Sequence, residues 1–173
     1  MSAAADWPRD IHAALKAAAV RQVAYVPDAG HARLLELCAA DPEMRMVPLT
    51  TEEEGIGLAA GAWLGGERAV LLMQSSGVGN CINALSLIET CRFPLLSLVT
   101  MRGEFGEFNP WQVPMGRATP AVLELAHVIV HRAESPASVG ETVAGAARLA
   151  FASYRAVAVL LSQQLIGAKS FAE

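Results

Sequence analysis

Apolar residues in this chain gather in short blocks, and between the blocks the apolar spacing changes to a helical repeat. The blocks at 22–26, 45–49, 69–73, 93–99, 127–131 and 156–161 show little polar alternation. A strand buried on one face alternates, whereas a strand buried on both reads as a continuous apolar run. The stretches 10–20, 31–40, 52–64, 78–90 and 136–154 carry apolar residues three and four apart and predict helices. Gly65-Gly66 stops the third of these, and Thr119 or Pro120 opens a shorter helix to Ala126. Residues 101–117 predict a long irregular loop. Regular strand–helix alternation implies right-handed crossovers in an α/β fold. The expected architecture is a three-layer α/β/α sandwich around a mainly parallel central sheet of about six strands. Ligands of such sheets collect at the carboxyl ends of the strands. Pro27-Asp28, Glu52, Gln74-Ser75-Ser76-Gly77 and the loop after Thr100 all fall there.

Composition narrows the class. A chain of 173 residues, 53% hydrophobic and 17% charged, suits a single well-packed domain spanning 1–173. Its net charge of −4, with no dense Lys/Arg cluster, argues against nucleic-acid binding. No apolar run reaches the ~18 residues a membrane helix needs. Met1 to Trp7 lacks the basic start and apolar centre of a signal peptide, so the cytoplasm is the expected location. Cys38, Cys81 and Cys91 lack CxxC spacing and read as small buried groups. His12, His31, His127 and His131 form no compact ligand pattern, so no metal site is expected on this chain.

The candidate chemistry lies in four places. Thr51-Glu52-Glu53-Glu54 precedes a Gly/Ala-rich helix, and Thr51 with Glu54 fits a capping box. That role leaves Glu52 free to face a cleft. Gly77-x-Gly79 after a strand suggests dinucleotide binding, but Ile82 stands at the third glycine position and the strand over 93–99 carries no acid. Asp28 is suited to cap the helix beginning near His31, and His31 beside a cleft is suited to pair with an anion. Arg102 leaves a strand's carboxyl end, where a guanidinium binds carboxylate, phosphonate or sulfonate in two-pronged fashion. Its alternative role is an ion pair with Glu104. No Gly-x-Ser-x-Gly elbow, P-loop or zincin motif occurs.

Four segments together carry a family resemblance. The run Thr51 to Ala62, followed by Leu71 to Asn80, resembles the pyrimidine-binding (PYR) domain of thiamine-diphosphate enzymes. Arg102-Gly103 and Gln112-Val113-Pro114-Met115-Gly116 resemble the alpha subunit of sulfopyruvate decarboxylase, with the N-terminal part of phosphonopyruvate decarboxylase also similar. The resemblance implies a subunit of a thiamine-diphosphate-dependent decarboxylase of an acidic 2-oxo acid, with 3-sulfopyruvate as the expected substrate; phosphonopyruvate decarboxylation, acetolactate-synthase-like carboligation and a non-catalytic binding or regulatory role on the same fold are the alternatives. It implies that Glu52, in register with the Ala59-Ala60-Gly61 run, is the glutamate that drives the cofactor's chemistry, with Asp28 as a second catalytic candidate. It implies a cofactor wall from Gln74, Ser75, Ser76, Gly77, Gly79 and Asn80, and substrate contacts from Arg102, Gln112 and His31. The diphosphate and Mg²⁺ in such enzymes are held by a Gly-Asp-Gly…Asn motif of a second (PP) domain, which this sequence lacks. A PP-domain beta subunit is therefore the expected partner, in a hetero-oligomer built on dimers.

Overall fold

In a computed structural model that describes residues 6–167, six strands form one sheet in the order β2-β1-β3-β4-β6-β5. The N-terminal residues before Asp6 and the last six of the expected domain lie outside the described residues. The strands are β1 (Val20–Tyr25), β2 (Arg45–Pro48), β3 (Arg68–Gln74), β4 (Leu95–Thr100), β5 (Ile129–Ala133) and β6 (Ala156–Leu161), and every neighbouring pair is parallel. The helices are α1 (Trp7–Ala17), α2 (Ala32–Ala40), α3 (Glu53–Leu64), α4 (Ser75–Cys81), α5 (Ser86–Cys91), α6 (Gln112–Leu125), α7 (Val139–Ser153) and α8 (Gln163–Ile166).

Strand alternation divides the core into two layers. Val70 and Leu72 of β3 meet Ile11 and Leu15 of α1, Leu34 of α2 and Val143 of α7 on one face. Leu71 and Met73 meet Ile56 of α3, Val78 of α4 and Leu123 of α6 on the other. Burial of each such Leu side chain stabilises the fold by about 1.5–3 kcal/mol. This is the expected three-layer sandwich. The chain passes over β1 between β2 and β3, so the crevice between the carboxyl ends of β1 and β3 is a topological switch point, where ligands of open sheets bind. Among the described residues, no helix is long and apolar enough to cross a membrane.

The differences from the sequence reading have local causes. The Gly-rich segment after β3 is not a turn: α4 begins at Ser75, directly after the extended Gln74. The helix expected over 78–90 is two helices, because the chain tightens to three-residue hydrogen bonds from Ser86 to Asn83 and from Leu87 to Ala84. The irregular loop ends earlier than expected, since α6 starts at Gln112 and contains Pro114, Gly116 and Pro120. Pro114 lies in the first turn, where backbone N–H groups have no helical partner anyway. Helices α5 and α7 end on left-handed Arg92 and Tyr154, and left-handed His127 follows the last residues of α6. That conformation costs a side-chain-bearing residue roughly 1 kcal/mol relative to glycine.

Candidate active site

The first turn of α3 separates two roles within its acidic run. The Glu54 carboxylate reaches back to accept the Thr50 backbone N–H at 2.8 Å, the acid half of a capping box. The Thr51 contribution is its carbonyl, which accepts the Glu54 N–H, and not its hydroxyl. Glu53 is exposed. Glu52 turns inward against α4 and is only 7% exposed. Asn80 donates its side-chain N–H to Glu52 Oε2 at 2.7 Å. A Cβ on Gly77 would overlap the Glu52 carboxyl, so the glycine permits the carboxyl to lie flat on the α4 backbone. Oε1 accepts no hydrogen bond among the described residues.

Asp28 lies across the switch point. Its Oδ2 accepts the Gly30 N–H at 2.9 Å, capping the short helical turn Ala29–His31, and the Thr100 hydroxyl at 2.7 Å. Its Oδ1 accepts the Gln74 amide at 3.0 Å, and Gln74 in turn accepts from Ser76 at 2.8 Å. Burial pushes the Asp28 carboxyl up, but hydrogen bonds from Thr100 and Gln74, the nearby His31 ring and the Gly30 N–H outweigh it and hold the pKa below its usual value. Asp28 is thus a carboxylate fixed by three strand ends, and it lines a cavity of about 220 Å³ with Gly30, Thr100, Met101, Arg102 and Gln163.

The β4–α6 loop is built around a residue that the sequence did not single out. The Arg102 guanidinium makes a two-pronged pair with Glu107, at 2.7 and 2.6 Å, and not with Glu104. Glu104 pairs instead with Arg132. Glu107 also accepts from the Gly103 and Asn109 N–H groups and from the Gln163 amide. Gln163 itself accepts the Glu104 and Phe105 N–H groups, tying the loop to the end of β6. The Arg102 hydrogen bonds, against an opposing effect of burial, hold the Glu107 carboxyl at about 2. A carboxyl depressed in the folded state stabilises above its ordinary value near 4.5 and loses that contribution as pH falls toward about 2. Glu107→Gln is expected to cost about 1.5–3 kcal/mol in urea unfolding at pH 7, and the gap to the unsubstituted protein should narrow by pH 3. An equal gap at both pH values would contradict this.

Several expected ligand contacts are otherwise occupied. His31 is 1% exposed, with Nε2 against the Met73 and Leu98 carbonyls, and burial lowers its pKa against the opposing pull of Asp28. It is a buried neutral ring, not a cation awaiting an anionic substrate. Ser75 is fully buried, and its hydroxyl accepts the Arg102 N–H. Gly79 faces the Met115 sulfur of α6 and serves helix packing. Gln112 is buried at the start of α6 with Oε1 lacking a partner, and it does not line the Asp28 cavity. Cys38 and Cys81 are buried as expected, but Cys91 is exposed. Among the described residues, no group of three His, Cys, Asp or Glu gathers to hold a metal ion.

Residues 8–105 match the family described as thiamine pyrophosphate enzyme, N-terminal TPP binding domain. The chain belongs to the thiamine pyrophosphate enzyme family. It is 40% identical over 157 residues to a sulfopyruvate decarboxylase subunit alpha of Methanothermobacter thermautotrophicus, covering 90% of this chain and 95% of that one. A subunit of the same name from Methanococcus maripaludis is 35% identical, over 87% of this chain and 91% of that one. A phosphonopyruvate decarboxylase of Streptomyces viridochromogenes is 39% identical over 67% of this chain, and that match spans 30% of the longer protein. A solved 2-oxoglutarate:ferredoxin oxidoreductase of Magnetococcus marinus shares the fold, with a TM-score of 0.73 at 13% identity over 92% of this chain and 29% of its own.

The residues about Glu52 leave one carboxyl oxygen available to a ring nitrogen such as the cofactor of this family carries. Glu52 offers a buried carboxyl with one oxygen held by Asn80 and the other without a partner among the described residues, packed on Gly77, where any side chain would collide with it.

Proposed function

We propose that this chain is the alpha subunit of a decarboxylase of 3-sulfopyruvate, giving sulfoacetaldehyde and CO₂, and that it works with a beta subunit carrying the PP domain. The unpartnered Oε1 of buried Glu52 carries this reading. The names of the two alpha-subunit relatives support the substrate. The partner would hold the diphosphate and Mg²⁺, the active site would form between subunits of a cytoplasmic hetero-oligomer, and residues 1–173 would make up one PYR domain.

Thiamine diphosphate, when bound, supplies the electron sink for loss of CO₂ from a 2-oxo acid. Glu52 would hold the cofactor's pyrimidine ring through a hydrogen bond at Oε1, and Asn80, bonded to Oε2, keeps the carboxyl from rotating away. Gly77 and the Gln74–Ser76 pair form the wall beside it. Asp28, held ionised, orients the reacting groups and accepts hydrogen bonds; its lowered pKa makes it a poor proton donor at neutral pH. Arg102 lines the adjacent cavity and faces the substrate's second anionic group while Glu107 holds its other edge.

The reading is tested with the reconstituted pair and a panel of 2-oxo acids. 3-Sulfopyruvate should show the highest kcat/KM, ahead of 3-phosphonopyruvate and pyruvate; a preference for pyruvate would contradict the assignment. Arg102→Ala should lower kcat/KM for the sulfonate substrate roughly ten- to a hundred-fold more than for pyruvate. Equal losses for both substrates would mean that Arg102 only anchors the loop.

A further inference from the structure

The amino ends of the strands hold a second concavity, of about 410 Å³, which the proposed reaction does not use. It lies under the ends of α5, α6 and α7, one β4 length from the carboxyl-end site, or roughly 20 Å at strand rise. Arg92, His127 and Tyr154 line it, and all three are left-handed residues at or just after helix ends, where glycine or asparagine is usual. Arg155 joins them from the residue before β6.

The two guanidinium groups of this wall are not paired with a carboxylate among the described residues. Arg9, Arg21, Arg33, Arg102 and Arg132 each pair with a carboxylate. Arg45, Arg92, Arg117, Arg148 and Arg155 have no carboxylate partner among the described residues, and of these Arg92 and Arg155 line one cavity together; Glu89, in the same wall, pairs with neither. The helix C-termini give cations one reason to be near, since the last carbonyls carry partial negative charge. Neither guanidinium hydrogen-bonds those carbonyls, so their donors face the cavity and solvent. Ile88 supplies an apolar floor, and the Tyr154 ring is braced edge-on against Trp63 at 5.4 Å.

We infer that this concavity is a binding site for a small organic phosphate bearing a flat ring, with the phosphate between Arg92 and Arg155 and the ring on Ile88 and Tyr154. Two guanidinium groups and an apolar, aromatic-edged floor in one cavity suit such a ligand. The site is independent of the decarboxylase reading, because it uses none of that site's residues.

The test titrates the full chain with adenosine monophosphate, pyrophosphate and adenosine at fixed ionic strength, followed by calorimetry. Adenosine monophosphate should bind saturably and more tightly than pyrophosphate, and adenosine should not bind. Combined Arg92→Ala and Arg155→Ala substitution should weaken binding at least about ten-fold with the thermal midpoint unchanged, whereas Arg45→Ala, at an exposed position of β2, should have no effect. Absence of saturable binding, retention of affinity in the double variant, or an equal loss in Arg45→Ala would overturn the inference.

Discussion

Glu52→Gln is expected to fold and assemble normally and to lose decarboxylation by at least about 100-fold, the low end for removing a positioned acid–base group. The substitution keeps the side chain's size, so the contact with Gly77 survives. It replaces one carboxyl oxygen with an amide NH2, which can donate a hydrogen bond to a ring nitrogen but cannot take up or release a proton there. The neighbouring acids are the controls. Glu53 is exposed and Glu54 caps Thr50, so Glu53→Gln and Glu54→Gln should keep near-normal turnover. Glu54→Gln should cost at most about 0.5–1 kcal/mol of stability, as a weakened cap. Similar activity losses at all three positions would show that the carboxyl facing Gly77 is not the one that matters.

How far the fold and site were legible depended on what kind of signal each element left. The strands were readable because burial on both faces removes polar residues, as in Leu95–Thr100 and Ala156–Leu161, where every residue is buried. The first half of helix α6 was hidden because Pro114 and Gly116 read as loop residues, and Pro120 read as the start of the helix rather than a position inside it. Gly116 is there because a side chain would collide with the Arg102 carbonyl, a constraint no local pattern reveals. Glu52 could be separated from Glu53 and Glu54 only through the family resemblance, since all three acids suit a first helical turn. Asp28 was legible as a cap, but its link to Gln74 and Thr100 joins residues 46 and 72 positions apart. Glu107 and Gln163 left no signal. A loop acid becomes an anchor only when the ends of β4 and β6 bring Arg102 and Gln163 to it. His31 misled for the converse reason. Its place at a helix start suggests exposure, yet the turn capped by Asp28 folds the ring under the ends of β3 and β4.

On the proposed reading, this chain contributes the Glu52 half of a shared thiamine-diphosphate site. That reading is tested most directly by CO₂ release from 3-sulfopyruvate, measured for the purified chain, the purified partner and their mixture, each with and without thiamine diphosphate and Mg²⁺. Turnover is expected only in the mixture with both added, and it should be lost when Glu52→Gln replaces the unsubstituted chain. Turnover by this chain alone, or turnover by the mixture unaffected by removing thiamine diphosphate, would contradict that reading.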